Sequence, residues 1–250
     1  MFETVSEIGG TPTTRASTGY EQRARDLQEL VGDAHRYLAD GLGTDFSPIV
    51  MVLDQTDWMM GGDDAPPYGI PYAADEGFDL VVPADPTRNF LVDIYAASGS
   101  RKSAERFADL IAVHELGHLH TRAMGLTLPQ GWLSEFLATY LACCFLVAHR
   151  PEDASLWFTL ARARTDGAGP EHRSLEALDE LYFGVGAENY IWYQDALSVK
   201  VGHVQADMGL DFARQMRSAV LTPDSDTRTT LAAAENIHPG FEAWAAALGG

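Results

Sequence analysis

The sequence predicts an α+β protein: a small N-terminal β-sheet with a flanking helix, then a mainly helical C-terminal lobe. Two observations carry that expectation. Short apolar runs with β-branched residues read as strands at Pro48-Ile49-Val50-Met51-Val52-Leu53 and at Leu80-Val81-Val82, the two belonging to one sheet. From Ser103 onward everything reads helical, with breaks near Pro151, Gly167 to Pro170, Gly184 to Gly186 and Pro223. With 250 residues and 46% hydrophobic content, the chain can bury a large core.

Taken in order, residues 1–18 are rich in Thr, Gly and Ser and read as a flexible N-terminal arm. Residues 19–125 form an N-terminal α+β lobe that opens with a helix from Tyr20 to Leu42. Gly61-Gly62-Asp63-Asp64-Ala65-Pro66-Pro67 is a turn-rich loop whose paired aspartates fit no calcium-loop spacing and read as a solvated turn. An apolar helix from Ala104 to Met124 closes this lobe, stopped by Gly125. Residues 126–250 form the helical lobe, which opens with a helix from Gly131 to His149 that carries no charge between Phe136 and Ala148. An amphipathic helix begins near Tyr190 and runs to Met208. No internal repeat is visible.

Charge and cysteine usage exclude several classes of function. A formal net charge of −19 repels nucleic acid and anionic membranes, so neither is expected as a partner; its first meaning is solubility. Cys143 and Cys144 are adjacent, with no other cysteine to build a disulfide framework, which favours a reducing compartment. Met1-Phe2-Glu3-Thr4-Val5-Ser6-Glu7 lacks the features of a signal peptide, and no apolar run reaches the ~18 residues of a membrane span. A cytoplasmic protein is expected.

The chemistry is concentrated in His114-Glu115-Leu116-Gly117-His118, in the middle of the first apolar helix. Residues four apart on an α-helix stack one turn above another, so both imidazoles can offer a nitrogen to one metal ion, with Glu115 beside that face. A shuffled chain of this composition would show the pattern on the order of one or two times in a hundred. Phe107, Leu110 and Ile111 precede it at helical spacing, so three titratable groups sit in a helix that is apolar on most sides. A third carboxylate follows seventeen residues after His118, at Glu135, the mouth of the next apolar helix. That separation suits a helix end, a reversing loop and the first turn of an antiparallel partner.

Together, His114-Glu115-x-x-His118 and Trp132-Leu133-Ser134-Glu135-x-x-Ala138-Thr139-Tyr140 resemble the gluzincin metallopeptidases, the thermolysin-like superfamily. The alanyl-aminopeptidase branch is closest in wording, reading W-L-N-E-G-F-A-T-Y at this place, with Phe136 standing here where that branch has glycine. The resemblance spans about residues 100 to 215. It implies a zincin-like fold, with the zinc helix along the floor of a cleft. It also implies Zn²⁺ held by His114, His118 and Glu135, with Glu115 as general base and peptides or proteins as substrates. Tyr190-Ile191-Trp192-Tyr193 looks like the Y-x-x-G segment that supplies an oxyanion-stabilising hydroxyl. Tyr193 fits that role best by its distance to Gly209; Tyr190 and His203 are the alternatives. The G-x-M-E-N strand that grips a substrate amino terminus in that branch is missing between residues 50 and 100. An edge strand in this region could still align an extended peptide.

Three protein ligands leave one open position on Zn²⁺, which lowers the pKa of water from about 15.7 to about 7. Two other functions fit the same residues: a zinc hydrolase acting on a non-peptide amide or ester, and an inactive zincin-like protein that binds a partner.

Overall fold

The computed structural model describes residues 5–60, 66–85, 87, 90–167 and 169–249. It is α+β, as the sequence predicts, with a five-stranded N-terminal sheet and a mostly helical C-terminal part. The chain divides into two compact units, residues 1–120 and residues 121–250.

In the first unit the strands are β1 (Val5–Ile8), β2 (Thr13–Ser17), β3 (Ile49–Leu53), β4 (Tyr72–Ala73) and β5 (Asp79–Pro83), in the order β1-β2-β3-β5-β4. The central three run parallel, with Thr14 opposite Val50 and Val50 opposite Leu80, while β1 and β4 are antiparallel edges. Strands β3 and β5 are the two apolar runs of the sequence, adjacent in one sheet. The flexible arm expected over residues 1–18 is corrected: residues 5–8 and 13–17 are strands, and β2 lies inside the sheet. The polar composition misleads because Thr is β-branched and suits a pleated strand, while β2 finds its partner on β3, far along the chain.

Helix α1 (Glu21–Leu42) crosses from β2 to β3 and buries Leu27, Leu30, Val31, Ala34 and Leu38, an i, i+3, i+4, i+7 stripe. Gly43 ends it with φ of 66°, in the left-handed region where a side chain is penalised. After the short helices α2 (Gln55–Met59) and α3 (Phe90–Ala96), the apolar helix expected over residues 104–124 is α4 (Arg101–Ala123). Arg23 of α1 ties to it by donating to Asp109 Oδ1 at 2.8 Å. Near its far end, buried His120 lies 2.8 Å from Thr44 Oγ1 through Nδ1 and 3.2 Å from His35 Nδ1 through Nε2. Residues 61–65, including Asp63 and Asp64, lie outside the described residues.

The second unit is built on α5 (Gly131–His149), α6 (Pro151–Thr165) and α8 (Ala187–Met208), which pack on one another. The shorter helices α7 (Leu175–Leu181), α9 (Asp211–Met216), α10 (Thr227–Ile237) and α11 (Phe241–Gly249) complete it. The expectation that no stretch is long and apolar enough to cross a membrane needs correcting for α5, a 19-residue helix that contains an 18-residue window with a mean hydropathy of 1.5. Within the protein, 78% of that stretch is buried, and the apolar surface is core. Phe136 meets Phe212 at 5.7 Å and Phe241 at 5.3 Å between ring centroids. Its ring therefore fills an aromatic core. Cys143 and Cys144 are buried and free, and burial pushes the Cys144 thiol up to about 12.

Candidate metal centre

Helix α4 buries Phe107, Ala108, Leu110, Ala112, Val113, Leu116 and Leu119, so a rigid apolar rod carries the His-Glu-x-x-His motif. His114 is 6% exposed and His118 half-buried. One helical turn separates them, and their Nε2 atoms approach to 3.2 Å with the rings at 84°. Two nitrogens held about 2.0–2.1 Å from one tetrahedral ion stand roughly 3.3–3.4 Å apart, so the observed spacing suits a shared cation. Glu115 Oε1 lies 3.9 Å from His114 Nε2. One ligand atom from each of His114, Glu115 and His118 falls within 4.8 Å of the others, close enough to hold a metal ion.

The second oxygen of Glu115 is held by the sheet. Ala73 on edge strand β4 donates its backbone N–H to Glu115 Oε2 at 3.0 Å. The strand therefore fixes the orientation of the carboxylate between the two histidines of the motif. No spacing in the sequence foretold this contact, because it joins the edge of the sheet to a helix 42 residues later.

Glu135 belongs to the second unit. It is 5% exposed, in the second turn of α5, whose first N–H groups include that of Trp132, donated to Asp179 Oδ1 at 3.0 Å. Burial raises the Asp179 pKa, opposed by the N–H bonds it accepts. Both Glu135 oxygens accept hydrogen bonds: Oε1 from the Tyr182 hydroxyl and Oε2 from Gln194 Nε2, each at 2.9 Å. Tyr182 lies in a 3₁₀ turn after α7, and with φ of 43° it is the non-glycine residue found in the left-handed region among the described residues. Tyr190 OH is 3.5 Å from Tyr182 OH.

Tyr193, the first choice for the oxyanion hydroxyl, lies in the core. It is 0% exposed and donates to the Ser174 carbonyl at 2.9 Å, and burial pushes its pKa up to about 12. His203 is exposed on α8. Tyr190 and Gln194 sit one turn apart on α8, whereas Tyr193 is rotated by about 100° from Gln194 and meets a different neighbour. Sequence reasoning missed Tyr182 and Gln194. The i, i+4 spacing of Tyr190 and Gln194 was the available signal for the latter; Tyr182 had none, since its placement depends on a tertiary turn.

Compared with protein-family models, curated proteins and solved structures, the chain matches none.

Proposed function

We propose that this protein is a zinc-dependent metallopeptidase of the gluzincin type, with peptides or proteins as substrates and the cytoplasm as its compartment. The observation that carries the reading is the pair of imidazole Nε2 atoms 3.2 Å apart, on one turn of a buried helix, with the Glu115 carboxylate close enough for its oxygen and one nitrogen of each histidine to lie within 4.8 Å of one another. His114 and His118 would hold the metal, and the resemblance assigns the third ligand to Glu135. Support for Glu135 comes from its own surroundings. Its carboxylate is buried at the start of a helix and steadied by Tyr182 and Gln194, as ligating carboxylates commonly are by neighbouring donors.

When bound, Zn²⁺ supplies a Lewis acid that polarises a carbonyl and acidifies water. Glu115 then takes the proton from the attacking water and passes it to the leaving amine, with Ala73 N–H holding Oε2 and leaving Oε1 turned toward His114. Tyr190 takes over the oxyanion role first assigned to Tyr193, because its hydroxyl lies beside the Tyr182 hydroxyl that holds Glu135, whereas that of Tyr193 is committed to Ser174. The test compares zinc content and cleavage of a broad fluorogenic peptide library by the parent and by Glu115→Gln. Metal retained with turnover reduced by about 10²-fold or more supports the reading. A zinc-loaded parent that cleaves no peptide overturns it in favour of metal binding alone.

A further inference from the structure

The second unit contains a cavity of ≈ 230 Å³ whose walls include neither Glu135 nor the residues that hold it. Thr165 from the end of α6, Gly169 from the following turn, Arg173, Trp192 of α8, and Trp244 and Leu248 of α11 line it. Two groups in this wall lack partners among the described residues. The half-buried Arg173 guanidinium makes no hydrogen bond or ion pair, in a chain with 36 acidic residues against 17 basic ones. The Trp192 indole N–H is buried without an acceptor. Buried donors are nearly always satisfied, so the unmet Trp192 N–H, beside a half-buried guanidinium with no protein partner among the described residues, points to a ligand that brings acceptors.

The backbone around Arg173 is fixed on both sides. Buried Asn189 accepts the His172 N–H at 3.1 Å and donates to the His172 carbonyl at 2.8 Å. Tyr193 donates to the Ser174 carbonyl at 2.9 Å, and Ser174 Oγ caps α7 by accepting the Ala177 N–H at 3.1 Å. Gly169 leaves room for the arginine stem: a Cβ there would fall 2.6 Å from Arg173 Cδ and 3.4 Å from Trp192 Cζ2. Arg173 is thus placed in advance against an aromatic wall, with its fork of donors uncommitted.

We infer that this cavity binds a small planar carboxylate. A guanidinium pairs a carboxylate through two parallel N–H···O bonds, and tryptophan faces cover a flat apolar body. The volume lies below the ~300 Å³ at which pockets for drug-sized ligands begin, which limits the body to one or two rings. The same chemistry describes a free aromatic acid and the carboxy-terminal residue of a peptide that ends in an aromatic side chain.

Calorimetric titration of the full chain tests this with benzoate, indole-3-acetate, the neutral amides of both, and a tripeptide ending in tryptophan with a free carboxylate. The acids bind saturably and each amide binds about tenfold more weakly or worse. Arg173→Gln weakens the acids by about tenfold or more, and Trp192→Phe, which keeps a ring and removes the N–H, weakens them by a smaller factor. Gly169→Ala displaces the arginine and abolishes binding. Of indole-3-acetate and the tripeptide, the tighter identifies the source of the carboxylate. Amides that match their acids, an Arg173→Gln protein that binds like the parent, or no saturable binding at millimolar concentration each overturn the inference, and the acid-to-amide comparison requires no variant to fold.

Discussion

Replacing His118 by alanine removes one of the two nitrogens that stand 3.2 Å apart on α4. A structural zinc site is worth about 10–16 kcal/mol, which shared over four coordination positions is roughly 2.5–4 kcal/mol per ligand. At about 1.4 kcal/mol per decade, the variant should hold zinc roughly 10² to 10³-fold more weakly than the parent. Competition against a chromophoric chelator at neutral pH reads that ratio directly, and a thermal melt of the metal-free proteins shows whether the fold survives. His203→Ala serves as the control, since that histidine is exposed on another helix. A His118→Ala protein that binds zinc as tightly as the parent refutes the reasoning. So does a His203→Ala protein that loses as much, because the loss would then not depend on the pair on α4.

Tyr193→Phe should leave zinc content and turnover unchanged while lowering stability in urea by about 1–3 kcal/mol, since the Ser174 carbonyl loses its donor; unaltered stability contradicts this. Tyr190→Phe should reduce peptide turnover by about 10²-fold with zinc retained, and equal rates remove Tyr190 from the oxyanion role. Phe136→Ala should cost about 3–5 kcal/mol in urea denaturation, because it empties the centre of the cluster with Phe212 and Phe241; a loss below about 1 kcal/mol counts against the packing account. Burial, followed by the neighbouring His35, holds the His120 pKa at about 3 against the ordinary 6.5. The unfolded chain therefore takes up a proton below pH 6.5 that the native state refuses until about pH 3. Stability is full above this window and falls across it as pH drops, by up to about 5 kcal/mol. In metal-free protein, His120→Gln should flatten that slope, and parallel slopes count against it.

Elements with a local signature were legible. The Gly131–His149 helix follows from a charge-free run bounded by Pro129 and Pro151, and α1 from its apolar stripe before Gly43. Strands β3 and β5 follow from compact β-branched runs. Strands β1, β2 and β4 were not legible, because two are short edges and the third is polar by composition and held by pairing with β3. The same division runs through the candidate site. Spacing along one helix revealed His114, Glu115 and His118, since i and i+4 are fixed by helix geometry alone. The partners of Glu115 and Glu135 lie on Ala73, Tyr182 and Gln194, and those contacts exist only once distant segments have packed.

The backbone of Tyr182 adds weight to the role given to Glu135. A non-glycine residue at φ of 43° costs on the order of 1–3 kcal/mol, and glycine would make the same turn with no such penalty. If the turn between α7 and α8 served only to reverse the chain, tyrosine would be a poor occupant. What tyrosine brings that glycine cannot is a hydroxyl 2.9 Å from Glu135 Oε1 and a ring 5.4 Å from that of Tyr190. A carboxylate buried at 5% exposure and bonded at both oxygens by neutral donors is held in one orientation. A residue strained to hold an acid in one orientation fits a ligand that must meet a fixed coordination geometry better than it fits an acid serving only as a helix N-terminal charge.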